Sequence, residues 1–294
     1  MNKLNADLTP KINKLKMTTT RRPPSFSLSG ETKSGFKGEG TEFTDFREYQ
    51  PSDDATQIDW KATLRANKVL VKEFSEEKRL TIFFLIDISA SMLFGSTEKL
   101  KNEYTIELVN SLAHGIVNVG DNVGFILFND KIVKKLPPTN EKGKIHNLME
   151  YMLDPKIYKG SFDLGNTLKY ANSFIPKNCI VIIISDFLGL KGEWKKQFEL
   201  AGRKFDLAAI LLRDPRDKKL ENTAQQFVIS DPFSGKKLLL DPNKIKDEYN
   251  EYVKQNERNL KKIFEKRKCQ FIDLTTDQSY VGPVIKFTKR RSKL

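Results

Sequence analysis

The chain has 294 residues, of which 38% are hydrophobic, enough for one sizeable α/β core with an accessory segment or for two small domains. Its 51 basic and 38 acidic residues give a net charge of +13, which suits nucleic acid, an anionic membrane surface or an acidic protein partner. Two cysteines and two histidines argue against a disulfide framework, a zinc site and a His-based catalytic triad. No run approaches the about 18 apolar residues that a membrane span needs, and the start lacks the apolar core of a signal peptide, so we expect a soluble, cytoplasmic protein.

Residues 1–25 are polar, lack periodicity and contain six basic residues against one acid, so we predict a flexible basic tail. Residues 26–78 differ, because they are dense in aromatic and charged residues and contain a run, Val69–Phe74, that alternates as a strand does. We interpret them as a compact accessory segment.

Four residues of the accessory segment are candidates for a partner-facing surface: Arg47, Tyr49, Asp59 and Trp60. The alternative is that they tie the segment to the rest of the chain, with Trp60 buried and Arg47 paired with an acid. We favour this alternative, because a tryptophan with flanking charges often anchors a contact between domains.

Strand and helix patterns alternate from residue 79 to about residue 291. The apolar runs of strand length are continuous, which is typical of strands covered by helices on both faces. This order predicts an α/β fold with a doubly wound, mostly parallel, Rossmann-like sheet. The predicted strands are Leu80–Ile86, Val123–Phe128, Cys179–Ile184, Leu207–Leu212 and Gln270–Leu274, and helices are predicted near residues 100–116, 145–153 and 246–268.

One stretch interrupts the alternation of strands and helices. Gln226–Ile229 and Lys237–Leu240 flank the turn-forming residues Asp231–Gly235. We therefore predict a β-hairpin, inserted at about residues 224–242 before the last long helix.

The first predicted strand of the sheet leads into Asp87, and Ser89 and Ser91 follow at alternate positions. In open α/β sheets, ligands bind beyond the carboxyl ends of the strands. A second strand end carries Asp186, which we expect to face Asp87. Carboxylate and hydroxyl oxygens suit a hard ion, namely Mg²⁺ or else Mn²⁺ or Ca²⁺, whose remaining positions would be filled by water or a partner's carboxylate.

Two other interpretations of this loop need consideration. In a purely structural one, Asp87 caps a following helix and the serines are ordinary loop residues. In a catalytic one, Asp87 is the nucleophile of a phosphoaspartate-forming phosphatase, but such enzymes typically use a second acid two residues on, where this chain has Ser89. Because no glycine-rich nucleotide-binding loop is present either, we predict a protein without catalytic activity.

The stretch Asp87–Ser91 resembles the Asp-x-Ser-x-Ser loop of von Willebrand factor A domains, and its flanks resemble a bacterial family called domain of unknown function 58. This similarity extends from about residue 26 to residue 291. The blocks that carry it are Gly40–Phe43, Arg47–Pro51, Ile58–Ala62, Val71–Phe74, Gly120–Gly124, Leu136–Pro138, Ser185–Leu188, Arg213–Arg216 and Asp231–Gly235 with Leu240–Asp241.

The resemblance implies parallel strands with helices on both sides and protein binding through a divalent ion held by Asp87, Ser89, Ser91 and Asp186. It also implies a partner, because the chain is similar to proteins encoded beside MoxR-type AAA+ ATPases, which are thought to act with them in chaperone-like assembly or maturation of other complexes. A metal-independent scaffold that uses the same face is the alternative.

One position departs from the family pattern. The family carries a threonine in a Gly-Gly-Thr-Asp-Leu type stretch, and the aligned stretch Gly160–Gly165 places Phe162 there. A phenylalanine offers no oxygen to a cation. Ser161, one residue earlier, is the substitute ligand that we consider. We therefore expect an ion that is bound weakly, bound with more water or absent.

The basic ends of the chain suggest a third kind of partner. Arg21, Arg22 and the stretch Lys286–Lys293 could contact phosphates, with a steep dependence on salt. No nucleic-acid-binding motif accompanies them, and solvated termini have the same composition. We therefore do not expect nucleic acid to be the partner.

Overall fold

The computed structural model describes residues 3–15, 17, 41–51, 53–76, 79–220, 227–230 and 237–291. The chain divides into two compact units, one formed by Met1–Pro24 with Leu80–Leu294 and the other by Ser25–Arg79. Among the residues in these described ranges, no helix combines the length and the apolar character needed to cross a bilayer.

The smaller unit contains the antiparallel strands β1 (Thr41–Glu48) and β2 (Leu70–Glu76), with helix α1 (Trp60–Ala66) between them. The helix begins where the Asp59 carboxylate accepts the backbone N–H of Ala62, and it ends at Asn67, whose φ of 55° lies in the left-handed region. The strand predicted at Val69–Phe74 is confirmed as β2.

The larger unit is built on a six-stranded sheet. Its strands are β3 (Thr81–Asp87), β4 (Asn122–Phe128), β5 (Ile132–Thr139), β6 (Ile180–Ser185), β7 (Asp206–Arg213) and β10 (Gln270–Thr275), and its strand order is β10-β7-β6-β3-β4-β5. All five predicted strands are present and pair parallel with one another. The doubly wound α/β prediction is therefore confirmed.

Strand β5 is the element of the sheet that the sequence pattern does not reveal. It pairs antiparallel with β4 at the edge of the sheet and contains Pro137 and Pro138. Proline cannot donate a ladder hydrogen bond, so it weakens a strand pattern, yet an edge strand tolerates it.

Helices cover both faces of the sheet. They are α2 (Lys101–Val117), α3 (Lys142–Met152), α4 (Leu164–Phe174), α5 (Trp194–Lys204), α6 (Pro215–Lys218), α7 (Pro242–Lys266) and α8 (Val281–Arg291). Alternate residues of β3 enter opposite cores: Ile82, Phe84 and Ile86 pack with α2, α3 and α8, whereas Phe83 and Leu85 pack with α4, α5 and α7. Two apolar layers therefore hold each central strand in register.

The predicted hairpin is confirmed by the antiparallel pair β8 (Phe227–Ser230) and β9 (Lys237–Leu240). Its predicted turn, Asp231–Gly235, lies outside the described residues. Helix α7 begins directly after it, where Asp241 caps the first turn and Pro242 occupies the first helical position.

The N-terminal segment differs from the predicted flexible tail. Residues 3–15 and 17 lie along α2, and the backbone N–H of Asn5 donates to Glu103 at 2.7 Å, while that of Leu15 donates to the Gly115 carbonyl at 2.9 Å. Ile12, Leu15 and Met17 are buried in the core. This segment lacks periodicity because it bonds to a helix rather than forming an element of its own. The remainder of residues 1–25 lies outside the described ranges.

The packing of the N-terminal segment on α2 can be tested by a substitution at Gly115. A Cβ atom added at Gly115 would lie 2.9 Å from the Leu15 Cβ, so we expect Gly115→Ala to push the N-terminal segment off α2. The control is Gly202→Ala in α5, where the added Cβ meets only the Leu207 Cδ1 at 3.8 Å and helix propensity favours alanine by up to about 1 kcal/mol. We predict that Gly115→Ala lowers the free energy of unfolding by about 1–3 kcal/mol in urea and exposes Lys11 and Lys14 to trypsin. Equal effects of both variants would contradict the packed segment.

Candidate functional site

The predicted ligand residues meet at the carboxyl edge of the sheet. Strands β3 and β6 are parallel neighbours, with Ile86 opposite Ile184, so Asp87 emerges beside Ser185 and Asp186 follows one residue on. The side chains of Asp87, Ser89 and Asp186 are completely buried, and Ser91 is 4% exposed. The structure thus brings together the four residues that the loop pattern singles out.

The Asp87 carboxylate is held by hydrogen bonds from its own loop and from the neighbouring strand. One oxygen accepts the backbone N–H of Ser89 at 2.8 Å, and the other accepts the Ser185 hydroxyl at 2.6 Å. The hydroxyl oxygens of Ser89 and Ser91 lie 3.1 Å apart and bond to each other. Every one of these oxygens therefore has a protein partner.

Asp186 faces a lysine that the sequence pattern does not flag. The Lys101 ammonium nitrogen lies 2.7 Å from the Asp186 Oδ2 and 2.8 Å from the Asp217 Oδ2. The side chain of Lys101 is completely buried, and the other Asp186 oxygen accepts the backbone N–H of Leu188 at 2.9 Å. Lys101 is the first residue of α2, so one side chain joins this helix to the end of β6 and to α6.

Burial and nearby charges shift the pKa values of Asp87 and Asp186 in opposite directions. Burial raises the pKa of Asp87 to about 7, and the negative charge of Asp186 acts in the same direction. Burial alone would also raise the pKa of Asp186, but the Lys101 ammonium, the N–H of Leu188 and the charge of Arg213 together hold that pKa below the usual range. Burial likewise disfavours the charged form of Lys101, yet the two carboxylates prevail and raise its pKa. Lys101 and Asp186 are therefore an ion pair.

Phe162, which stands where the resemblance predicts a threonine, belongs to an aromatic cluster. Its ring is buried and lies 5.8 Å from the ring of Phe128 and 6.2 Å from that of Phe187, measured between centroids. Phe187 has a φ of 50°, an unusual conformation for a bulky residue that directs its ring into this cluster. Ser161, the predicted substitute ligand, is exposed and so differs from the four buried residues.

The surface above these buried groups is formed by connected loops. The backbone N–H of Ala90 donates to the Gly160 carbonyl at 3.2 Å, and that of Asp163 donates to the Asn129 carbonyl at 3.0 Å. Phe94 is 44% exposed, and the Lys101 ammonium lies 5.5 Å from the centre of its ring. An aromatic side chain in solvent thus lies directly beside the buried ion pair.

The residues present do not fit a divalent ion. The oxygens of both aspartates already accept protein donors, Phe162 supplies none, and an ammonium group already neutralises Asp186. Among the residues that the structure describes, no group of three or more His, Cys, Asp or Glu side chains could hold a metal. The chemistry of this donor set matches an internal ion pair better than a Mg²⁺ site.

The four residues of the smaller unit that are candidates for a partner-facing surface differ in their exposure and in their contacts. Arg47 pairs with Asp53 through contacts of 2.6 and 2.7 Å, and Asp59 pairs with Lys72 at 3.0 Å, while Tyr49 is half-buried. The expectation that Trp60 is buried is wrong, because 65% of it is exposed. One short helix beside two strands offers too little apolar surface to cover an indole ring.

Lys101 and Phe94 are the residues that sequence reasoning missed. A lysine in the first turn of a helix is electrostatically unfavourable, because the helix dipole places partial positive charge there. This unfavourable position is the feature of the sequence that could have indicated an acidic partner for Lys101. Phe94 gives no comparable signal, because a single apolar residue in a loop is ordinary.

A mostly parallel, doubly wound sheet whose central strand ends in Asp87, followed by Ser89 and Ser91, defines a von Willebrand factor A-like domain. The family model described as "Protein of unknown function DUF58" matches residues 45–259. The chain belongs to this family.

The chain is also similar to individual proteins. The "Uncharacterized protein Rv1480" of Mycobacterium tuberculosis is 22% identical over 272 residues, which cover 90% of this chain and 84% of the relative. The crystal structure of an aerotolerance-related membrane protein from Bacteroides fragilis has a TM-score of 0.52 at 18% identity, covering 73% of this chain and 100% of that one, and so shares the fold. The VWA domain of SpRpn10 is also similar, with a TM-score of 0.42 at 13% identity over 71% of this chain and 95% of that one.

The raised pKa of Asp87 predicts how stability depends on pH. Because the folded chain holds this proton up to about pH 7 and the unfolded chain releases it near pH 4, the contribution of Asp87 is complete in acid and is lost as the pH rises through 7. We predict that the free energy of unfolding, measured in EDTA, falls by roughly 1–3 kcal/mol more in the native chain than in Asp87→Asn between pH 5 and pH 8. Ser185→Ala removes a hydrogen bond that lowers this pKa, so it should move the fall to higher pH. Identical pH profiles for the native chain and Asp87→Asn would refute the assignment.

Proposed function

We propose that this chain is a non-enzymatic protein-binding module that acts through its strand-end face. We define this face as the exposed residues of the loops at the carboxyl edge of the sheet, namely Phe94, Ser96, Asp130, Gly160, Ser161 and Gly189. The observation that carries the proposal is the position of Phe94, an exposed aromatic ring on loops fixed from below by a buried ion pair.

Two physical properties of the face favour protein binding. Its loops are tied together by backbone hydrogen bonds and by the Asn129 amide, which donates to the Lys159 carbonyl at 2.6 Å. Loops that are already ordered lose little conformational entropy when a partner binds. An aromatic side chain on such a base is the kind of residue that dominates interface energies.

The same geometry argues against catalysis at this site. A general acid, base or nucleophile must touch its substrate. Asp87, Asp186 and Lys101 have no exposed surface, and their polar atoms contact one another, the backbone, or the side chains of Ser185 and Asp217. These groups serve as the foundation of the face rather than as reactive groups.

As partner we propose a MoxR-type AAA+ ATPase of the cytoplasm, or a client that the two proteins assemble or mature together. The support for this partner is the family to which the chain belongs and the resemblance of its motif blocks. Binding bridged by Mg²⁺ is the alternative form of the same proposal, and it differs in requiring an ion between Asp87, Ser89, Ser91, Asp186 and a carboxylate of the partner.

Substitution of Phe94 tests the face. We expect Phe94→Ala to weaken binding of a MoxR-type AAA+ ATPase from the same organism by at least about tenfold, since truncating a central aromatic residue typically costs more than 1 kcal/mol. The matched control is Tyr252→Ala, which removes a 64% exposed aromatic residue from α7 and should leave the affinity unchanged. Calorimetric titration with Mg-ATP in every arm gives both affinities.

If Tyr252→Ala weakens binding and Phe94→Ala does not, the interface lies on α7 instead. Unchanged affinity in both would exclude Phe94 as an anchor. No binding by the native chain would remove this ATPase as the direct partner, and the same pair of variants would then be tested on its client.

A further inference from the structure

We propose that the Lys101 ammonium group permanently takes the place of a divalent cation in the strand-end site, so that this chain presents a metal-independent binding face. The inference deepens the proposed function, and only its consequence for partners rests on that function. Its test uses the chain alone.

The contacts of Lys101 are those of a structural cation. It bridges two carboxylates that belong to different elements, Asp186 at the end of β6 and Asp217 in α6, with separations of 2.7 and 2.8 Å. The ammonium also lies over the ring of Phe94, 5.5 Å from its centre. A completely buried ammonium is tolerated only when it is paired in this way.

Two cations of the chain itself already act on Asp186. Lys101 and the buried Arg213 are the cations, and the charge of Arg213 acts on Asp186 in the same direction as that of Lys101. The partners of these two cations include Asp186 and Asp217. A divalent ion beside Asp186 would be repelled by these two cations, and repulsion in a poorly solvated interior is strong.

Phe162 and Lys101 are complementary departures from a metal site. A metal needs a further oxygen donor where Phe162 stands, and its ring instead packs between Phe128 and Phe187. Once an ammonium supplies the positive charge, the missing oxygen is no longer required. The two residues together convert a coordination site into a packed ion pair.

This conversion changes what a partner can recognise. A bound ion with an open position attracts a carboxylate from the partner, but Lys101 is 0% exposed and has no open position. The exposed group beside it is the ring of Phe94. We therefore infer that the partner contributes an apolar side chain at this point rather than an acid.

The first experiment measures metal binding by the native chain. Calorimetry and Mn²⁺ electron paramagnetic resonance, with Mn²⁺ up to 10 mM after dialysis against EDTA, should show no binding, and the melting temperature should be the same in EDTA and in Mn²⁺. A Mn²⁺ site with a millimolar or tighter dissociation constant in the native chain would overturn the proposal.

The second experiment removes the ammonium. Lys101→Met keeps the length of the side chain and leaves Asp186 uncompensated, so we expect the melting temperature to fall by about 6–12 °C. Lys101→Met with Asp186→Asn should recover most of this loss without metal. The control is Lys99→Met, which breaks contacts of 2.6 and 2.7 Å with the buried carboxylate of Glu107 and should not be rescued by Asp186→Asn. A Lys101→Met variant as stable as the native chain would contradict the role of the ammonium.

The third experiment reopens the site. Lys101→Met combined with Phe162→Thr frees Asp186 and restores an oxygen, so Mn²⁺ should raise its melting temperature, whereas Lys99→Met should show no rise. If the melting temperature of the double variant does not rise, something other than Lys101 excludes the ion. If these variants do not fold, the native titration still decides. Because no partner is present, none of these results depends on whether Phe94 binds the ATPase.

Discussion

The ion pair between Lys101 and Asp186 fixes the carboxyl edge of the sheet. Lys101 begins α2, Asp186 follows β6, and the second carboxylate, Asp217, lies in α6, so three elements distant in sequence are joined at one nitrogen atom. Charges buried in a protein interior are expensive to separate, because water does not replace the lost partner. The loops above this pair are therefore set by its geometry.

Asp87 has a different role from Asp186 although both are buried at adjacent strand ends. Asp186 has a cation beside it, whereas Asp87 is held by the N–H of Ser89 and the hydroxyl of Ser185. Two neighbouring carboxylates in a poorly solvated site repel when both are charged. The site resolves this repulsion by giving the positive charge to one aspartate and leaving the other prone to hold a proton.

The sequence predicted the parts of this arrangement that follow from local patterns. Continuous apolar runs revealed five parallel strands, and the parallel order placed Asp87 and Asp186 at one edge. It did not reveal β5, whose prolines weaken the strand pattern, or the N-terminal segment, whose hydrogen bonds are made to α2 and to the end of α3. Nor did it reveal the partner of Lys101, because the identity of a buried ion pair depends on which helix start faces which strand end.

The ammonium of Lys101 gives a physical reason why this site can carry Phe162 in place of a threonine. If the threonine alone had been lost, the site would keep its carboxylates without an adequate cation, and an uncompensated buried charge would destabilise the fold. If the lysine alone had been added, the oxygen of a threonine would be left among the rings of Phe128 and Phe187 without the ion that it serves. Each change relieves the cost that the other creates. The loop that resembles a metal site is therefore better understood as a packed foundation for the residues exposed above it.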